Sequence, residues 1–419
     1  MPLPHRWWRP ALGALILAGA LCAETLTLNQ AVSEAIEKNA GLLAERANIA
    51  IADARILTAR LRPNPVLTAG SNHLDFLGTG FNDVNGGGPT EISLHSEFTV
   101  ERGGKRQARV AVAAATRSVV ELQFLNAARA LALDVQNAFV DVLLAKSVLA
   151  LARENLEFAN TTVNVNTVRL KAGEIAELEL ARSRLAALQS ENSVRRAELQ
   201  VRTSLTRLET VMGRAKRSPA FDVAGELRRD AAIPDRDEIQ RLAADLRPDL
   251  LGLRRDTERA GAEWKSQIAQ AKPDYTFGAE YIRQQVNAKA NSLTFEIGIP
   301  IPIFNRNQGE IARAAAERRQ AELRLRALEA SIAGEIESAW RQLVTARDLL
   351  HSIETRMLQQ ARDVRDITEF SYRRREATLL ELLDAQRTFN ETMQAYNEAR
   401  AEYARILYVV DSISGKPIQ

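Results

Sequence analysis

The 419-residue chain carries 56 lysines and arginines against 53 aspartates and glutamates, a formal charge of +3. Loss of Arg6 and Arg9 with a leader lowers that to +1, and charges are spread along the whole chain, so no global field draws nucleic acid. One cysteine, Cys22, excludes a disulfide framework.

Residues 1–22 read as a secretory signal peptide. His5, Arg6 and Arg9 give a basic start, residues 11–21 are apolar but too short to span a bilayer, and Ala18 and Ala20 suit signal peptidase. Two endings are open, ordinary cleavage near Cys22 or lipidation of Cys22. Leu21, where a small residue usually precedes a lipidated cysteine, favours the first. Beyond the signal no apolar run is expected to reach the ~20 residues of a membrane-spanning helix, so membrane entry would require a β-barrel.

Residues 27–62 have the period of an amphipathic helix, and 66–73 form a weak strand. A glycine-rich loop, 78–89, leads to a clear strand in which Ile92, Leu94, Phe98 and Val100 share one face and Glu91, Ser93, His95, Glu97 and Thr99 the other. A long helix, 105–172, turns into a shorter one, 176–212. After a linker at 214–236 with Pro219 and Pro234, the same order returns: a helix at 237–272, then a strand carrying Tyr275, Phe277, Ala279 and Tyr281. A short loop at 287–291 and a strand alternating Leu293, Phe295, Ile297, Ile299 and Ile301 follow. In the last long helix Ile332, Ile336, Ala339, Leu343, Ala346, Leu350, Ile353 and Met357 are spaced by fours and threes, which describes a coiled-coil seam or the stripe of an antiparallel bundle.

This order is a tandem duplication. Residues 39–42 match 247–250, Pro65 matches Pro273, Gly70 matches Gly278, 102–110 match 306–314, and Glu177 to Leu185 match Glu381 to Phe389. The domains expected are therefore a signal at 1–22, a first repeat at 23–213, a linker at 214–236, a second repeat at 237–415 and a tail at 416–419. Segments 27–62 and 176–212, placed end to end, match the length of 105–172, a rod of roughly 100 Å at ~1.5 Å per residue. Four strands with apolar-out, polar-in alternation fit a membrane barrel or a half-buried soluble sheet. Four cannot close a barrel, which takes about eight, so in a membrane several copies must contribute strands to one pore.

The runs 26–42 (LTLNQAVSEAIEKNAGL), 299–311 (IPIPIFNRNQGEI) and 379–389 (LLELLDAQRTF, with Tyr396 beyond) resemble, over the whole mature chain, the TolC-like outer-membrane factor family. The segment 101–106 (ERGGKR) resembles its heavy-metal, cobalt–zinc–cadmium resistance branch, with Arg102 in place of the usual leucine. The resemblance implies a mainly α fold with a membrane β-barrel portion. Three copies would build a long coiled-coil α-helical barrel in the periplasm and, from four strands each, a twelve-stranded outer-membrane barrel. It implies a passive duct, not an enzyme, without cofactors. The partners would be two further copies, a periplasmic adaptor protein, an inner-membrane RND pump and outer-membrane lipid, with no nucleic acid. Divalent heavy metals are the expected cargo, with organic compounds or a secreted polypeptide as alternatives and a soluble periplasmic coiled-coil scaffold as the rival.

By the same resemblance Glu381, Asp384 and Tyr372 belong to a periplasmic gate, and Arg375 and Ala377 replace the family's usual glycine and basic residue. Glu381 and Asp384 share a helix face, so three copies would stack two acidic rings able to attract cations; an ordinary solvated face is the alternative. The hairpin tips carry Arg169, Lys171 and Gly173, then Arg373, Arg374 and Arg375, for adaptor contact or simple solvation. His73 and His95 could meet across strands near Glu91 or Glu97, but a metal site needs three or four ligands and none is expected. No nucleophile–base or phosphate-binding pattern is present.

Overall fold

The computed structural model describes residues 24–74, 76–78, 80, 90–214, 221–230, 232–285 and 290–416. The expected signal with Cys22, most of the loops at 78–89 and 287–291, Pro219 and residues 417–419 lie outside the described residues. The first half runs β1 (Glu24–Leu26), α1 (Leu28–Lys38), α2 (Ala40–Arg60), β2 (Val66–Asn72), β3 (Thr90–Val100), α3 (Lys105–Lys171) and α4 (Glu177–Val211). The second runs β4 (Phe221–Val223), α5 (Arg236–Leu246), α6 (Pro248–Gln270), β5 (Tyr275–Gln285), β6 (Ala290–Gly298), α7 (Gln308–Ser352), a π-helical turn (Ile353–Met357), α8 (Leu358–Arg373) and α9 (Leu379–Ser414).

The helix expected at 27–62 is two helices. Thr27 and Gln30 form a capping box that starts α1, and Asn39, with extended backbone, restarts the chain as α2 by accepting from Leu42 N–H at 3.1 Å. The second half breaks at Arg247, where Pro248 opens α6. Each break receives the end of a later helix. Gly213, past α4, has φ +81 and comes so close that an added Cβ would sit 2.7 Å from Asn39 Cα; Gly415, past α9, has φ +71 and would meet Arg247 N at 2.8 Å. Asn39 Nδ2 also donates to Val211 O at 2.9 Å. The short helices thus abut end to end along α3 and α7, and 67 residues make α3 about 100 Å long.

One apolar cluster joins α1, α3, α4 and the parallel β1–β4 pair through Val32, Val135, Phe139, Leu208, Met212 and Phe221. Another joins α5, α7 and α9 through Ile239, Ile336, Leu343, Leu350, Tyr403 and Leu407. The expected seam is buried from Ile332 to Ile353, but Met357 is 46% exposed and Leu358 takes its place. The π turn inserts one residue, which rotates everything beyond it by about a third of a turn. One expectation needs correcting further: α3 carries a stretch long and apolar enough, by length and composition, to cross a membrane. It is instead a core helix, burying Val135, Ala138, Phe139, Val140 and Val142 against its neighbours.

The four-stranded sheet has the order β2-β3-β5-β6, antiparallel throughout. Register puts Leu94 opposite Tyr281 and Phe98 opposite Phe277, with Phe295 and Ile297 beyond, so one face is an apolar band left exposed. His95, Glu97, Glu280 and Glu296 lie on the other face.

Candidate functional site

The two hairpin tips, α3–α4 and α8–α9, lie side by side at the end of the helices away from the sheet. In the first, Gly173 adopts φ +74, Gly173 N–H donates to Leu170 O and Glu174 N–H to Arg169 O, both at 2.9 Å, closing the end of α3. The second closes alike, with Glu376 N–H donating to Ser371 O at 2.8 Å, but its left-handed residue is Arg375 at φ +69. These turns align Gly173 with Arg375 and hence Glu179, not Glu177, with Glu381. The sequence match at this anchor slips by two residues.

Three contacts tie the tips together. The Tyr372 hydroxyl donates to Asn166 Oδ1 at 2.5 Å, with Tyr372 4% and Asn166 0% exposed, and Asn166 Nδ2 has no partner. Arg169 stacks 4.7 Å from the Tyr372 ring centroid and donates to Tyr372 O at 2.9 Å and Arg373 O at 3.0 Å. Arg375 pairs with Glu174 at 2.5 Å. The tip is less basic than its sequence: Arg373 also pairs with Glu369, and Arg374 lies over the Phe370 ring. Lys171 is exposed. Asn166 and Glu174 were not singled out by sequence reasoning; both stand some two hundred residues from their partners, and nothing local marks them.

Glu381 and Asp384 are both exposed on the first turns of α9. Glu381 closes a capping box: Glu381 N–H donates to Thr378 Oγ1 at 3.3 Å, and its Oε2 accepts from Thr378 N–H at 2.7 Å and from the Thr378 hydroxyl at 2.9 Å. The Thr378 amide, then its hydroxyl, hold the Glu381 carboxyl below the usual carboxylate range.

At the other end of the helices, residues 101–106 join the sheet to α3. Arg102 N–H donates to Asp274 Oδ1 at 2.9 Å, Lys105 Nζ to Asp274 Oδ2 at 2.7 Å, and the Arg102 guanidinium stacks 4.3 Å from the Tyr275 ring centroid. Gly103, at φ +73, lies so near α6 that a Cβ would fall 2.5 Å from Lys272 Cδ. The motif is a clasp between the halves, and Asp274 is its hub. His73 and His95 do not meet: Thr68 lies opposite His95, and Asn72 opposite Glu91, which separates the histidines by about five residues of strand, roughly 17 Å. Among the described residues no group of three or more histidine, cysteine or acidic side chains converges as a metal site.

Residues 31–214 and 240–416 match the family model described as outer membrane efflux protein. The chain is 25% identical over 399 residues to the cobalt-zinc-cadmium resistance protein CzcC of Cupriavidus metallidurans, covering 94% of this chain and 91% of that protein. It is 26% identical over 428 residues to the pyoverdine export outer membrane protein OpmQ of Pseudomonas putida, covering 96% and 85% respectively. The fold is similar to that of CusC, a protein whose structure concerns folding and transmembrane channel formation, with a TM-score of 0.76 at 16% identity over 99% of this chain and 100% of that one. Two family matches, one in each half, fall on the helix–sheet–helix units whose tips and clasp are described above, and they set aside the soluble scaffold. The chain belongs to the outer membrane efflux protein family.

Proposed function

We propose that the chain is one of three identical subunits of a passive exit duct for divalent heavy-metal cations, working with a periplasmic adaptor and an inner-membrane RND pump. The observation that carries the assembly is the open four-stranded sheet with one face apolar and exposed. An edge left open in lipid would strand backbone groups at several kcal/mol each, and three such sheets give the twelve strands of a closed barrel. The helices then form the periplasmic tunnel, and a leader at residues 1–22 directs export. Likeness to CzcC over 94% of the chain supports metal cargo.

In this reading Tyr372, Glu381 and Asp384 form the periplasmic gate, and Arg169, Lys171, Gly173, Arg373, Arg374 and Arg375 form the adaptor-facing rim. Three copies bring Glu381 and Asp384 into two acidic rings. The Thr378 cap holds the Glu381 carboxyl below the usual carboxylate range, which keeps its ring charged. Likeness to OpmQ favours a second reading, organic cargo. Deleting the chain from its native cell separates the two. Metal cargo predicts loss of cobalt, zinc and cadmium tolerance with unchanged tolerance to organic toxicants; the reverse pattern rejects it.

A further inference from the structure

The junction between sheet and helices carries a charge imbalance that the clasp does not use up. The chain crosses it in four stretches, 60–66, 101–109, 268–275 and 299–311, which together hold eight lysines and arginines against three acids. Those acids are already answered: Arg109 pairs with Glu101, Lys105 with Asp274 at 2.7 Å, and Arg313 with Glu310 at 2.7 Å. Arg62, Arg102, Lys272 and Arg306 are all exposed, and among the described residues no carboxylate pairs with any of them. They lie at one level. Arg109 donates to Leu61 O at 3.3 Å beside Arg62, and Lys272 lies against Gly103. Asn307, next to Arg306, donates to Gln267 O at 2.8 Å near the end of α6.

Register fixes the side on which Arg102 lies. Phe98 stands opposite Phe277 and Val100 opposite Tyr275, so Tyr275 closes the apolar face at its helix end. Arg102, two residues past Val100, lays its guanidinium 4.3 Å from the Tyr275 ring centroid and donates to the Tyr275 hydroxyl. The neighbouring acids, Glu101 and Asp274, fall on the other side of the alternation. The rim of the apolar face therefore ends in an aromatic ring and then a guanidinium, with no carboxylate beside it. The second half does the same at Arg306, the match of Arg102 in the duplication, where Ile303 and Phe304 are 61% and 89% exposed.

We propose that Arg102 on Tyr275, with Arg306, Lys272 and Arg62, forms a basic collar that binds the phosphate of anionic phospholipids in the leaflet facing the helices. The inference rests on the membrane-barrel reading and adds to it a lipid class, a leaflet and the residues that select it. An exposed apolar band followed at once by unpaired cations has the order of that leaflet, acyl chains first and phosphate next.

The geometry at Arg102 suits a phosphate. Stacking on Tyr275 holds the guanidinium plane before any ligand arrives, so little side-chain freedom is lost on binding, and its remaining N–H groups form a fork that matches two phosphate oxygens. Lys272 adds a point charge beside it. A zwitterionic headgroup brings the same phosphate with its own ammonium, which these cations repel, so the collar prefers headgroups of net negative charge. The clasp ties Asp274 to Lys105 and to the Arg102 backbone, which leaves the Arg102 side chain available to lipid.

The test is native mass spectrometry of the full chain extracted in detergent and titrated with phosphatidylglycerol or phosphatidylcholine. The native trimer binds phosphatidylglycerol more tightly, and the preference falls as salt rises. One cation at a membrane surface is worth a factor of about five in binding, so Arg102→Leu weakens phosphatidylglycerol about fivefold and leaves phosphatidylcholine unchanged. Arg102→Lys keeps most of the binding. Arg306→Leu, whose side chain takes no part in the clasp, repeats the loss and serves if Arg102→Leu assembles poorly. A native trimer that holds both lipids equally, or leucine variants with the native preference, overturns the collar. Release of the lipid by inorganic phosphate makes this a plain anion site and overturns the lipid assignment. A chain that is monomeric in detergent and holds neither lipid overturns the membrane-barrel reading itself.

Discussion

Tyr372→Phe tests whether the two hairpin tips lock the duct. The substitution keeps the ring under Arg169 and removes one hydroxyl, whose bond to Asn166 Oδ1 is 2.5 Å long and buried. A neutral buried hydrogen bond contributes ~1 kcal/mol, and a buried polar group left unpaired costs ~1–3 kcal/mol. Asn166 Nδ2 already lacks a partner, so without the hydroxyl its whole amide is buried unsatisfied. About 2 kcal/mol per copy is thus lost from the locked arrangement. None is lost once the hairpins splay and Asn166 reaches water. That shifts the locked-to-open ratio about thirtyfold per copy, and further if three copies move together. Single-channel recording in planar bilayers reads the shift as a larger open fraction. Arg169→Met, which frees the Tyr372 and Arg373 carbonyls, moves it the same way. A Tyr372→Phe trimer of native size whose open fraction matches the native channel would refute the lock and leave the tyrosine a packing residue.

Glu381→Gln with Asp384→Asn removes charge but keeps a side chain able to reach Thr378 N–H, so cation preference in bilayer reversal potentials falls while folding is unchanged; Glu381→Ala with Asp384→Ala also loses the cap and raises conductance further. Equal cation preference in native and charge-free channels removes the pair from the gate. Arg375→Gly relieves a left-handed backbone costing ~1 kcal/mol and gives up an exposed ion pair worth up to ~1 kcal/mol, so unfolding in detergent stays within about 0.5 kcal/mol of native; a loss above about 2 kcal/mol contradicts that balance. Glu34 is held below the usual carboxylate range, first by its hydrogen bond to Arg214, at 2.7 Å. A depressed carboxyl contributes stability above its unfolded value of 4.5, and that contribution fades as pH falls through the lower folded value. Glu34→Gln should therefore flatten acid unfolding below pH 4.5, and an unchanged acid limb would show that the pair is not linked to folding. Gly213→Ala and Gly415→Ala force a Cβ onto backbone at 2.7 and 2.8 Å with φ positive, and each should cost about 2–4 kcal/mol by thermal unfolding; a native Tm in either would mean the helix ends can separate freely.

Much of the fold was legible because its signals are local or periodic. The fours and threes from Ile332 to Ile353 survive as a buried seam, and the two-residue alternation of Leu293, Phe295 and Ile297 survives as a strand face. The breaks at Asn39 and Arg247 carried signals, an N-capping side chain and Pro248. The apolar period nevertheless continues across both breaks, which hides them in the sequence. The π turn had no such signal: the apolar series remains intact through Met357, and only packing against α9 decides that Leu358 turns inward.

The site divides along the same line. Thr378 and Glu381 stand three apart, and that spacing alone announces a capping box. Tyr372, by contrast, acquires its role from Asn166, and Arg375 from Glu174, each across the pair of hairpins. A run such as Arg373 to Arg375 therefore misleads when its charge is summed along the chain, because Glu369 and Glu174 answer two of the three cations and Phe370 the other. An acidic adaptor surface would have to compete with these contacts instead of meeting three free guanidinium groups. If an adaptor docks at this rim as proposed, docking and unlocking would draw on the same residues, and a partner carboxylate taking Glu174's place on Arg375 would loosen one of the three ties that hold the hairpins together.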